Sequence, residues 1–330
     1  MKKIHLILSL LIGLSVAGQD IHFSQFFEAP LLRNPSLAGI FTGDIRVQAV
    51  YRDQWNNVTD AYRTGSINAE YKMPVGRSND FVTTGLQVIY DRAGTVGWTT
   101  NSLLPALNYH KSLSNEKNRY LSLGFMGGWV QHRFDASKAT TNSTYDNGGG
   151  TGEVFPSTQY SYLDMSVGMS FNSHLNNDPG NNFFIGAAYH HLNKPSNSFY
   201  HDPEVRLQPK WVFSGGIKLK VTDYSYFTIQ ADHTIQGQST ETVAGAMYGY
   251  NIGDDPEEPS YAIHGGLFLR WNDALIPVVR LDYGHTSVSI SYDANTSTLR
   301  SSSYGRGALE ISVAWFGFRN KGEYLLCPRF

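Results

Sequence analysis

Leu121-Ser122-Leu123-Gly124-Phe125-Met126-Gly127-Gly128-Trp129 places Leu121, Leu123, Phe125, Gly127 and Trp129 on one face of an extended chain, with Ser122, Gly124 and Gly128 opposite. Successive side chains of a strand point to opposite faces, so the run has one apolar side and one side of small residues. Leu163, Met165, Val167, Met169 and Phe171 repeat the pattern against Tyr162, Asp164, Ser166, Gly168 and Ser170. So do Trp211, Phe213, Gly215, Ile217 and Leu219 against Ser214, Gly216, Lys218 and Lys220, and Val288, Ile290 and Tyr292 against three serines. Small and charged residues on the second face suit a hydrated interior more than the dry core of a soluble sandwich. The pattern predicts an all-β protein, a transmembrane outer-membrane β-barrel of about fourteen antiparallel strands.

The runs fall near 44–55, 61–73, 81–91, 98–111, 118–132, 160–172, 181–191, 208–221, 225–233, 239–251, 260–270, 274–284, 285–293 and 305–318. A tilted strand crosses a bilayer in about 9–11 residues, which most of these runs reach. Loop lengths test the topology independently. The two longest connections, 133–159 and 192–207, follow the fifth and seventh strands, while 74–80, 112–117, 173–180 and 222–224 are short. Sorting by parity is the asymmetry of a barrel with long outer loops and short periplasmic turns, and a sandwich has no reason to show it.

Composition agrees. Only 16% of the 330 residues are charged and 13% are aromatic, with 20 Tyr, 18 Phe, 6 Trp and 32 Gly. A formal net charge of -2 gives no argument for nucleic acid as a partner. The mean hydropathy of -0.30 is low because only alternate residues of a barrel strand face lipid. Lys2-Lys3, the apolar run Ile4 to Val16 and Ala17-Gly18 read as a secretory signal peptide cleaved after Gly18. The expected organisation is 1–18 signal peptide, 19–43 a periplasmic or plug segment, 44–318 barrel and 319–330 a C-terminal tail. Residues 19–43 hold Phe23, Phe26 and Phe27 with little alternation, and three placements stay open: plugging the lumen, packing below the barrel, or binding a partner.

No constellation of catalytic residues stands out: there is no G-x-S-x-G, P-loop, H-E-x-x-H or Cys-x-x-Cys, and neither an enzyme, a cofactor nor a metal is expected. His190 and His191 are neighbours on a strand and are expected on opposite faces, one toward the lumen and one at the interface. Gly148-Gly149-Gly150-Thr151-Gly152 lies in the longest outer loop without the Lys and helix of a phosphate loop. Asp254, Asp255, Glu257 and Glu258 suit a solvated turn better than a cation site. The single cysteine, Cys327, reads as a free thiol or a partner contact. Arg46, Arg52, Glu70, Lys72, Asp164, Lys218, Lys220, Asp232, Arg280, Asp282 and Glu310 fall on the lumen face, where they pair with one another or tune passage of solutes. Arg52, Gln54 and Trp55 sit where the first strand meets the outer surface; they anchor the N-terminal segment or touch an external partner, or are a lumen residue and an aromatic-belt residue.

Several blocks carry a family resemblance. Gln19-Asp20-Ile21-His22-Phe23-Ser24-Gln25-Phe26, Asn34-Pro35-Ser36-Leu37-Ala38-Gly39 and Tyr51-Arg52-Asp53-Gln54-Trp55 resemble elements of the PorP/SprF family, in order. Ser291-Tyr292-Asp293, Gly307-Ala308-Leu309-Glu310-Ile311 and the ending Cys327-Pro328-Arg329-Phe330 are similar to its closing strands and tail. Ala308 departs from the family's more polar pattern, which weakens any role for Glu310. The resemblance implies an outer-membrane barrel of type IX secretion and gliding motility that helps export or surface attachment of a cargo protein. It also implies other components of that secretion system, the cargo and outer-membrane lipid as partners. Phe26, Asn34, Pro35, Arg52, Gln54 and Trp55 are the candidate partner-binding residues. The rival expectation is a general porin-like diffusion channel with an open lumen.

Overall fold

In a computed structural model the described residues are 20–54, 62–76, 79–114, 118–140, 155–176, 178–255, 259–297 and 307–319. The stretch expected as a signal peptide, Trp55, the glycine run 148–152, Glu257, Glu258 and the part of the tail that holds Cys327 lie outside them. The strands are β1 (Ile45–Gln54), β2 (Tyr62–Pro74), β3 (Phe81–Ala93), β4 (Trp98–Ser114), β5 (Arg119–Arg133), β6 (Gln159–Leu175) and β7 (Asp178–His190). There follow β8 (Lys210–Thr222), β9 (Ser225–Gln236), β10 (Ser239–Ile252), β11 (Tyr261–Arg270), β12 (Ala274–Tyr283), β13 (Thr286–Tyr292), the two-residue β14 (Ala294–Asn295) and β15 (Ala308–Gly317). Apart from β14, which pairs with β12, each strand pairs antiparallel with the next, and β15 returns to β1 through Arg46↔Phe316 and Arg52↔Glu310. Fourteen long strands therefore close a barrel, whose ends differ from the sequence expectation by at most three residues.

Closure satisfies every strand edge from within, which is the condition for backbone to stand in hydrocarbon. No helix among the described residues is long and apolar enough to span a membrane; the crossing is made by strands. The alternation decides which side faces lipid. Leu123, Phe125, Met169, Ile185 and Leu267 point outward and exposed, while Ser122, Asn172 and Asn108 point inward and buried. Aromatic side chains gather on the outer surface near both rims. Tyr189 packs on Trp211 at the long-loop end (ring centroids 4.6 Å apart), and Tyr261 stacks on Tyr283 at the other (4.9 Å). The long connections 134–158 and 191–209 follow β5 and β7, and two-residue turns such as 223–224 and 284–285 occupy the opposite rim.

Two sequence expectations change. His190 and His191 do not point to opposite faces: both are buried on the inside. β7 ends at His190, and His191 takes a left-handed backbone (φ 58°), which turns its ring inward instead of continuing the alternation. Lys220 keeps the lumen parity, opposite Tyr226, but it stands at the short-turn rim beside the register shift, exposed and paired with Asp223 instead of buried in the interior.

A cation placed on the lipid face tests this orientation. Met169→Arg, near the middle of β6, should destabilise the barrel by about 2–4 kcal/mol. Urea unfolding in lipid vesicles followed by tryptophan fluorescence measures it, and an unchanged midpoint would place Met169 elsewhere.

Candidate functional site: the filled lumen and its outer mouth

The segment before β1 does not hang below the barrel. It enters the lumen at the long-loop end and descends to the short-turn end, where Asp44 N donates to Gly317 O (2.9 Å) and β1 begins. From Phe23 to Phe41 every residue but Leu32 is buried. Of its three short turns, Phe26–Glu28, Pro30–Arg33 and Pro35–Leu37, the last two start on a proline at the first helical position, where a missing N–H costs nothing.

At the top, the Asp20 carboxylate meets Lys210 Nζ and His191 Nε2, both at 2.7 Å, while His191 Nδ1 lies 3.0 Å from Asp164. Gln236 closes the corner with its side-chain amide, donating to Asp20 Oδ1 (3.0 Å). Burial alone lowers the His191 pKa, but the Asp20 and Asp164 carboxylates outweigh it and push it up to about 9.

Below this corner the backbone itself is held. Ser24 N and Gln25 N donate to the two oxygens of Glu310 (2.7 and 2.8 Å). Arg52 spans Glu310 (2.5 Å) and Asp293 (3.1 Å), and Arg270 joins Asp293 from the other side (3.0 Å). Ser24 Oγ sits at the centre, donating to Asp293 Oδ2 (2.7 Å) and accepting from Arg52 Nη1 (2.8 Å). The Gln25 amide is bound by strand serines: it donates to Ser291 Oγ (3.0 Å) and accepts from Ser312 Oγ (3.2 Å) and from Ser289.

Midway, Arg33 forms a fork on Asp232 (Nε 2.7 Å, Nη2 2.6 Å) with its guanidinium over the Phe26 ring at 4.6 Å. Phe26 and Phe27 pack on Phe268, with centroids 5.6 and 5.2 Å away. Glu28 takes Arg280 (3.1 Å) and Gln48. Asn34 caps the next turn by accepting from Ser36 N (2.9 Å). It lies so close to the wall that a Cβ at Gly168 would strike its side chain, and one at Gly124 would come within 2.5 Å of the Pro35 backbone. Lower still, Asn108 Nδ2 donates to the carbonyls of Ser36 and Ala38 (2.6 and 2.8 Å), and Gly39 N donates to Glu70 (2.8 Å). Gly39 has φ +84° and lies against Thr83 and His110, so no larger residue fits there.

The candidate residues thus fall into two groups. Phe26, Asn34 and Pro35 are bound to the barrel's own inner wall, out of reach of an external partner while the segment stays in place. Arg52 holds that segment, and Gln54 accepts from Arg52 Nη2 (3.2 Å) at the outer mouth. Glu310, discounted because of Ala308, is fully buried and is the acceptor on which the segment's backbone rests. Asp232, Glu70 and Asp293 were visible only as lumen or closing-strand residues; their partners lie up to 269 residues away in sequence. Above the segment the lumen opens into a cavity of about 430 Å³, floored by Asp20–His22 and Leu32.

The family model described as type IX secretion system membrane protein PorP/SprF matches residues 15–315. The chain belongs to the PorP/SprF family. The match spans both the lumen segment and the barrel, so the plugged barrel is the unit of this PorP/SprF protein. No curated protein matches the chain. Among solved structures, the toluene transporter TbuX of Ralstonia pickettii is similar at TM-score 0.51 and 8% identity, covering 87% of this chain and 92% of that one. The deltaS2 mutant of the monoaromatic hydrocarbon channel TodX gives TM-score 0.50 and 10% identity, covering 87% and 93%. At these identities the likeness is one of fold, that of outer-membrane barrels, and with the family it places this protein in the outer membrane.

Two outcomes follow. Arg33→Ala strands the buried Asp232 charge and should cost about 3–5 kcal/mol, read as a lowered urea midpoint; a change below about 1 kcal/mol would mean the fork is idle. The His191 pairings add stability that is fully present below the unfolded histidine value near 6.5 and lost as pH rises through about 9. The urea midpoint should therefore fall between pH 7 and 10, and less so in His191→Gln.

Proposed function

We propose that this protein serves type IX secretion by exporting a cargo protein or holding it at the cell surface, and that it acts neither as an enzyme nor as an open diffusion channel. One observation carries the reading: below its outer vestibule the lumen is filled by the chain's own N-terminal segment, fixed by ion pairs at Asp20, Glu28 and Arg33. A barrel so filled offers partners its rim and its outer loops instead of a continuous pore. The outer loops 133–159 and 192–207 and the mouth around Gln54 are the surfaces assigned to cargo, and the short-turn rim is the one that faces the periplasmic parts of the secretion system. A role in gliding motility belongs to the same proposal, through display of an adhesin.

Deletion of the gene should remove one cargo from the surface proteome while general secretion continues; an unchanged surface proteome contradicts the reading. In planar bilayers the intact protein should give no steady porin-like conductance, and Glu310→Gln combined with Arg33→Ala should raise it. A large conductance from the intact protein would favour the channel.

A further inference from the structure

We propose that the outer vestibule is a binding site for a neutral saccharide presented from outside the cell. The cavity of about 430 Å³ lies at the long-loop end, within the size range of small-ligand pockets. One side carries a stack of rings. His132, Tyr160 and Tyr162 form a cluster of near-parallel rings, His132 lying 5.1 and 5.7 Å from the two tyrosines and these 6.2 Å from each other, with planes inclined by 24–29°. The facing side, from β1 to β3, carries Gln54, Thr64 and Asp91. Over the top folds the connection 191–209. It contributes Asn197, which accepts from Tyr160 Oη, and Phe199, wedged against Trp98, Phe134 and Tyr160 with centroids 5.1, 4.8 and 4.6 Å away.

The charges of the vestibule are already committed, and this decides the ligand class. Arg52 is matched by Glu310 and Asp293, and Lys210 by Asp20, so a phosphate or carboxylate meets cations that are neutralised. Asp164 is engaged by His191, and Asp91 accepts from Thr64 Oγ1 (2.6 Å), so no carboxylate cluster awaits a metal ion. The closed barrel leaves no strand edge in the wall for an extended peptide to pair with. A hydrocarbon would bury Gln54, Thr64, Thr100 and Asp91 without returning a hydrogen bond. A sugar ring meets both halves of the site. Its C–H face gains dispersion contact over the His132–Tyr162 stack, and its hydroxyls, each donor and acceptor, bond to amide and carboxylate groups across the cavity.

The inference is independent of the export role, since a cargo partner can engage the rim with or without it. The test uses the full-length protein in nanodiscs, with maltose, cellobiose and N,N′-diacetylchitobiose as probes and inorganic phosphate, toluene and a strand-forming peptide as comparisons. Saturation-transfer NMR and quenching of tryptophan fluorescence report binding. At least one disaccharide should bind saturably, Asp91→Asn should weaken it about tenfold, the loss of one hydrogen bond to a charged group, and His132→Ala should abolish the ring contact. Gln54→Ala, at the half-buried end of β1 and joined to the buried network only through one bond from Arg52, guards against misfolding of the other two and should weaken binding as well. Binding of phosphate, toluene or peptide in place of every saccharide overturns the proposal. So does saccharide binding that survives all three substitutions, and so does the absence of any saccharide binding by folded protein.

Discussion

The Glu310 carboxylate receives Ser24 N, Gln25 N and Arg52 in a site closed to solvent, and the order of the lumen rests on that contact. A buried carboxylate is tolerable only with its oxygens matched, and a buried backbone N–H only with an acceptor. Here one group answers both demands. The segment's backbone supplies the donors that the acid needs, and the acid supplies the acceptors that a non-strand backbone inside a barrel lacks. Asp293, Arg52, Arg270 and Ser24 extend the arrangement into a network in which each charge faces an opposite one. Removing the segment would leave these charges facing only one another and water. Such matched networks favour one register of the segment over neighbouring ones, since a slip by one residue would put Phe23 or Phe26 against Glu310.

Shape reinforces the charge pattern. Inward-facing glycines at 124 and 168 leave the space that Asn34 and Pro35 occupy, and the positive φ at Gly39 lets the chain turn toward Glu70. The motif Asn34-Pro35-Ser36-Leu37-Ala38-Gly39 thus has a physical meaning in each part. The asparagine caps, the proline starts the turn without an unmet N–H, and the glycine takes a conformation closed to other residues. The matching wall positions have no side chain because the segment is there instead, the Pro35–Ser36 backbone against Gly124 and the Asn34 side chain against Gly168. A wide aqueous pore would have no use for such close approach.

Much of the barrel was legible because strand alternation and loop parity are local signals. Leu121 to Trp129 carries its own orientation, and 133–159 carries its own length. The lumen contents were not legible, because they depend on pairings between residues far apart in the chain. Arg52 read equally well as anchor, lumen residue or cargo contact until Ser24 was seen beside it. Glu310 was set aside because of Ala308, which shares its lumen face two residues earlier on β15, but a small residue there says nothing of the donors that reach the acid. The histidine pair failed for a different reason. Alternation holds while a strand lasts, and a single left-handed residue at 191 ends it, a change that no period in the sequence announces.

Chain order adds a constraint of its own. The segment precedes β1, yet its partners lie on β6, β9, β12, β13 and β15, so its contacts complete only as the last strand returns to β1. Ser24 and Glu310 are 286 residues apart, and closing such a loop costs entropy before any contact compensates. Barrel closure and lumen filling are therefore the same event in energetic terms: β15 brings both the edge that seals the sheet and the acid that seats the segment. A barrel that closed on an empty lumen would leave Asp232 without Arg33, and Glu310 and Glu70 without the backbone donors that complete their pairing with Arg52 and Arg46. The filled state is thus favoured by the fold itself, and it leaves the outer mouth and the short-turn rim as the accessible ends of the barrel.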